Sequence, residues 1–92
     1  MPSQVEITPV YVKYIPEEKQ QGILYISKEY NTTSHLCLCG CGNLTVIPIH
    51  GKDAGWWNLI EEDGKVSIYP SIGNQKICGA HYWIKNNIGY LD

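Results

Sequence analysis

The sequence contains no phenylalanine, and its only methionine is the first residue. A core for 92 residues must therefore be built from valine, isoleucine, leucine, seven tyrosines and three tryptophans. A chain of this length buries only about 60 to 65% of the surface that it exposes when unfolded. Small cores of this kind often need a cross-link, and the four cysteines are the residues that can supply one.

Long apolar runs and an amino-terminal leader are also lacking. The first residues show no basic start followed by an apolar segment, and no stretch has the length of a membrane span. These absences predict a cytoplasmic protein with no membrane partner. Thiols stay reduced in the cytoplasm, so closely spaced cysteines favour metal binding or chemistry over structural disulfides.

Clusters of basic residues are absent as well. Seven Lys and Arg against nine Asp and Glu give a formal net charge of −2, and the basic residues occur singly along the chain. A surface that follows the phosphates of a nucleic acid needs a stripe of Lys or Arg. The sequence therefore predicts no nucleic-acid partner.

The sequence does contain short β-branched and aromatic runs separated by Gly, Pro, Asn and Asp, and this pattern predicts a mainly β fold. We expect a small single domain of hairpins over residues 1–92, with a loop at 16–21 that has room for one helical turn and a connection at 28–34. The strongest hairpin signal is the Asp63–Gly64 turn. Strands are predicted at 10–15, 22–27, 44–49, 56–60, 65–69, 82–85 and 88–91.

The cysteine run Cys37-Leu38-Cys39-Gly40-Cys41-Gly42 is predicted to form a zinc knuckle at a hairpin tip. Alternate residues of an extended strand lie nearly 7 Å apart, whereas tetrahedral zinc needs each sulfur about 2.3 Å from the metal. Gly40 and Gly42 permit the positive-φ turns that fold neighbouring thiolates around one point. The glycines therefore make a metal site feasible here.

Further ligands are expected from Cys78-Gly79-Ala80-His81, where a Cys and a His stand three residues apart. The simplest prediction is one structural zinc ion held by four thiolates, and the alternative replaces one cysteine with His81. A disulfide inside the run is disfavoured because its short ring would be strained. The six candidate donors are His35, Cys37, Cys39, Cys41, Cys78 and His81.

A metal that joins these segments would bring His35 and His81 together with Ser71, which precedes Cys78 by a few residues. Ser71 stands among turn formers, and by itself it reads as a turn residue that bonds its own backbone. With an imidazole within hydrogen-bond reach it would instead be an activated nucleophile. For each histidine the alternative is a buried, hydrogen-bonded role. His50 is predicted to be an exposed turn residue.

The cysteine segment from His35 to Gly42, the segment Pro70-Ser71-Ile72-Gly73-Asn74 and the segment 78–84 together resemble the BubE-like family of bacterial proteins. Segments 22–30 and 63–66 extend the resemblance, which covers roughly residues 16–92. Departures occur at Leu38 and Leu91, where the family usually has proline and tryptophan. Members are encoded beside bacterial ubiquitin-like modifiers and their conjugating enzymes.

The resemblance implies a hydrolase: a deubiquitinase-like peptidase that processes a ubiquitin-like protein or removes it from targets. It implies Ser71 as nucleophile, His35 or His81 as general base, and Asn74 as an orienting group. The alternative is a non-catalytic zinc-binding module that binds a component of the ubiquitin-like pathway. Its binding surface would consist of the aromatic residues Trp56, Trp57, Tyr82 and Trp83.

Overall fold

The computed structural model describes residues 4–49, 57–74 and 79–91, apart from the side chains of Pro70 and Asn74. These residues form nine β-strands and no helix, so the predicted mainly β fold is confirmed. No helix long and apolar enough to cross a membrane occurs in the described ranges. The strands are β1 Gln4–Glu6, β2 Thr8–Tyr11, β3 Ile23–Ser27, β4 Thr32–Leu36, β5 Leu44–Pro48, β6 Asn58–Glu62, β7 Lys65–Asn74, β8 Ala80–Lys85 and β9 Ile88–Leu91.

The strands form two sheets that share one hydrophobic core. The five-stranded sheet has the order β1-β9-β8-β7-β6 and is antiparallel, while the four-stranded sheet has the order β2-β3-β4-β5, with β2 parallel to β3. Successive residues of a strand point to opposite faces, so each sheet contributes one face to the core. The buried cluster contains Ile7, Leu24, Ile26, Cys37, Leu38, Ile47, Val66, Ile68, Ile72, Tyr82 and Ile84.

The predicted hairpins are observed, but three local predictions are wrong. Strand β7 continues to Asn74 where a turn was expected, because β8 pairs with residues 72–74 and this pairing outweighs the local turn preference. The connection expected at 28–34 enters strand β4 at Thr32. The segment 16–21 contains no helical turn. The first predicted strand, 10–15, is observed as β2, which ends at Tyr11.

The cysteine loop is attached to the five-stranded sheet by a contact between Leu38 and Gly89. Gly89 is a buried residue of β9, and a methyl group added there would overlap the end of the Leu38 side chain. We expect Gly89→Ala to lower the free energy of unfolding by about 1–3 kcal/mol, the usual cost of overpacking a core. Urea unfolding followed by tryptophan fluorescence measures the loss.

The same contact predicts coupling between the two positions. If the clash with Leu38 causes the loss, Leu38→Ala and Gly89→Ala together should cost at least about 0.5 kcal/mol less than the sum of the single changes. Strictly additive costs would show that Gly89 matters through its backbone and not through the space it leaves for Leu38.

Candidate functional site

The first part of the candidate site is the cysteine loop, which closes the hairpin between β4 and β5, as predicted. The Cys37 amide donates to the Asn43 carbonyl at 2.8 Å, and the Gly40 amide donates to the Cys37 carbonyl at 3.1 Å. Gly40 and Gly42 have φ angles of 91° and 83°, which L-residues rarely adopt. These two turns fold the run back on itself and bring its side chains to one side.

The thiols of the loop form a compact group that fits a metal ion. The sulfur atoms of Cys37, Cys39 and Cys41 all lie within 4.8 Å of one another, and those of Cys37 and Cys39 are 3.4 Å apart. Sulfurs around a tetrahedral zinc ion are separated by about 3.8 Å. The Asn43 side-chain amide donates to the Cys41 sulfur at 3.1 Å, a contact that favours the thiolate. None of these three cysteines forms a disulfide with another described residue.

His35, on strand β4 just before the cysteine loop, is buried in the core. It is 2% exposed, and its Nε2 lies 2.6 Å from the hydroxyl of the fully buried Tyr82. Burial lowers the pKa of His35 to about 4, so the imidazole is neutral near pH 7. Its Nδ1 finds no hydrogen-bond partner within the described residues.

Tyr82 links His35 to the cysteine loop. Burial raises the pKa of the Tyr82 phenol, and the adjacent Cys37 thiol adds to the rise, whereas a hydrogen bond with Thr45 opposes it. The phenol is therefore protonated and contacts groups from β4, β5 and the cysteine loop. The non-catalytic alternative would place Tyr82 in an exposed aromatic surface, but Tyr82 is fully buried, because its position in β8 points into the core.

The second part of the site depends on an irregularity in strand β7. Ile68 pairs with Ile84 and Ile72 pairs with Tyr82, so three residues of β7 stand opposite Trp83 alone. Such bulges bend a strand and redirect its side chains, and they are common beside active sites. Ser71 is one of these three residues.

This geometry brings Ser71 and His81 together. Gly73 pairs directly with His81, so Ser71, two residues earlier, lies diagonally across from His81 on the same face of the sheet. The Ser71 Oγ is 2.9 Å from the His81 Nε2, within the range for a nucleophile and its base. Both side chains are partly buried. This face points away from the core, and His35, which is buried in the core, is therefore not beside the pair.

Two neighbours shape the surroundings of the pair. The Trp57 indole Nε1 donates to the Ser71 carbonyl at 3.2 Å and so fixes the bulged backbone. A Cβ at Gly73 would lie 3.6 Å from the His81 Cδ2, so a longer side chain would occupy the space in front of the imidazole.

Several predicted site residues have side chains that lie outside the described part of the chain. These are Cys78, His50, Trp56 and Asn74. The Trp57 hydrogen bond and the bulge were not predicted. A signal for the bulge was present, since a proline inside a strand cannot donate to the ladder and often marks an irregularity, and Pro70 lies within β7.

Comparison with known proteins gives one family. The model of the BubE family, described as "Bacterial ubiquitination-like system serine protease", matches residues 11–89. No curated protein and no solved structure shows significant similarity to the chain.

Proposed function

This chain belongs to the BubE family of bacterial ubiquitination-like system serine proteases, and from this premise we propose that Ser71 is its nucleophile and His81 its general base. The substrate is a ubiquitin-like protein, cleaved at its carboxyl-terminal peptide, isopeptide or ester bond. The observation that supports the assignment is the 2.9 Å contact between the Ser71 Oγ and the His81 Nε2. The two atoms lie on the face of the five-stranded sheet that points away from the core.

The chemistry follows from these two side chains. His81 Nε2 takes the proton of Ser71 Oγ while the oxygen attacks the scissile carbonyl, and the resulting imidazolium then protonates the departing amine or alcohol. The modifier remains joined to Ser71 as an ester. Water, deprotonated by the same imidazole, attacks this ester, releases the free carboxylate and restores the serine hydroxyl.

The cysteine loop has a structural part in this proposal. Cys37, Cys39 and Cys41 hold one zinc ion together with Cys78, three residues before His81 in the sequence. A closed site of four thiolates has no position for substrate or water, so the metal would fix the loop and the segment before β8. His35 and Tyr82 support the loop from the core.

The test combines cleavage with labelling by a fluorophosphonate. Parent protein is incubated with the precursor of a ubiquitin-like modifier from the same operon, and mass spectrometry reports the carboxyl-terminal fragment released. An activated serine displaces fluoride from the probe and retains the phosphonyl group. We therefore expect the adduct on the peptide that contains Ser71, and we expect the labelled protein to cleave the modifier precursor no longer.

Ser67→Ala is the matched control, since Ser67 lies on the same strand and its hydroxyl accepts a hydrogen bond from the Asn86 amide. This variant should still be labelled, and Ser71→Ala should not. Labelling that persists at another serine in Ser71→Ala would show that the nucleophile is a different residue. Binding of the modifier with no cleavage by the parent would support the non-catalytic alternative.

A further inference from the structure

The outer face of the five-stranded sheet, which points away from the core, carries a groove that has no part in the proposed reaction so far. It has a volume of about 650 Å³, within the range of ligand sites, and it is lined by Tyr69, Trp83, Lys85, Asn86 and Tyr90. Tyr69 and Trp83 are 40% and 39% exposed, so both aromatic rings are partly available to another molecule.

The groove lies next to His81, because Trp83 both lines the groove and contacts the His81 ring. Trp83 follows His81 by two residues on β8, and their rings meet edge to face with centroids 4.7 Å apart. Lys85 lies two residues further along the same face, and Tyr90 pairs with Trp83 from the neighbouring strand. At about 3.3 Å per residue, Lys85 is about 13 Å from His81, the length of four extended residues.

The residues that line the groove indicate which kind of molecule would bind there. Three aromatic rings offer apolar contact area, and within the described part of the chain Lys85 is the one charged side chain that lines the groove. Strand β8 is hydrogen-bonded to β9 on one side and to β7 on the other, so a bound peptide cannot pair with its backbone. A peptide here would therefore be recognised by its side chains and not by adding a strand.

We propose that this groove binds the extended carboxyl-terminal tail of the modifier, with apolar side chains over Trp83 and Tyr90 and an acidic side chain against Lys85. The acidic residue would stand about four positions before the cleaved bond. If the enzyme removes one modifier from many targets, the residues before the cleaved bond belong to the modifier and are always the same, whereas the target differs from one substrate to the next. This inference rests on the proposed function, because a groove beside His81 serves cleavage only if Ser71 and His81 are the reacting pair.

The test uses three substrates. Acetyl-Glu-Leu-Leu-Gly and acetyl-Lys-Leu-Leu-Gly amidomethylcoumarins differ only in the charge facing Lys85, and p-nitrophenyl acetate requires the serine and histidine but not the groove. We expect the parent to prefer the Glu peptide by about tenfold in kcat/KM, and Lys85→Glu to reverse this preference. Tyr90→Ala should raise KM for both peptides about tenfold. Neither variant should change hydrolysis of p-nitrophenyl acetate.

Lys13→Glu makes the same charge change at an exposed residue of the four-stranded side and should keep the preference of the parent. A preference that Lys85→Glu leaves unaltered overturns the proposal, as does an equal loss on all three substrates. If the parent hydrolyses none of them, the proposed function fails, and fluorescein-labelled versions of the peptides are titrated into Ser71→Ala. Selective binding of the Glu peptide would then support the groove, and absence of selective binding would overturn it.

Discussion

Replacing Ser71 with alanine is expected to lower kcat/KM for cleavage of the modifier by at least about 1,000-fold, because in the proposed mechanism the Ser71 oxygen forms the acyl intermediate. His81→Gln keeps the size and a hydrogen-bonding amide but cannot accept the serine proton, and a loss of similar magnitude is expected. Rates are measured by mass spectrometry on the modifier precursor, together with zinc content and circular dichroism, so that loss of chemistry is separated from loss of fold.

The two residues should behave as one unit. Once either is missing, the other has no further part in the reaction, so Ser71→Ala combined with His81→Gln should be no slower than the slower single variant. His35→Gln is the matched histidine control, since His35 is buried and bonded to Tyr82. If His35→Gln lost cleavage while folded, and His81→Gln retained it, the assignment of the base would be wrong.

The fold was predictable where its signals are local. The Asp63–Gly64 turn and the runs on either side of it predict a hairpin, and β6 and β7 form one. Strand β7 was predicted too short because Pro70, Ser71 and Gly73 favour turns by their own chemistry. The strand continues past them because residues 72–74 pair with β8, a contact that no single segment of the sequence reveals.

In the candidate site, too, the features set by local sequence were predictable and those set by strand pairing were not. The cysteine loop was predictable because three donors and two glycines lie within six residues, and the geometry is set locally. A contact between Ser71 and a histidine was expected from a shared metal and from the family resemblance, and both left the choice between His35 and His81 open. The contact with His81 is made directly by the pairing of β7 with β8, and the two residues meet because both point away from the core.

His35 shows what the sequence could not provide. Whether a histidine on a strand points into the core or toward solvent depends on which face of its sheet is covered. Strand β4 turns His35 inward against Tyr82, whereas β8 turns His81 outward. A shift of one residue in the register of either strand would turn its own histidine to the opposite face.

Removing the metal is expected to unfold the protein. Structural zinc sites contribute about 10–16 kcal/mol of apparent binding free energy, which is comparable to the whole stability of about 5–15 kcal/mol of a typical domain. We therefore expect a strong chelator to release one equivalent of zinc and to abolish the cooperative thermal transition, with recovery when zinc is returned. Zinc content is measured by mass spectrometry of metals, and unfolding by tryptophan fluorescence.

Single substitutions identify the ligands. Cys37→Ser, Cys39→Ser, Cys41→Ser and Cys78→Ser should each release the ion if four thiolates hold it. His81→Gln is the discriminating variant, because it should retain zinc while losing cleavage. Release of zinc by His81→Gln, with retention by Cys78→Ser, would make His81 the fourth ligand. The imidazole would then be unable to accept a proton from Ser71, and the proposed mechanism would fail together with the assignment of four thiolates.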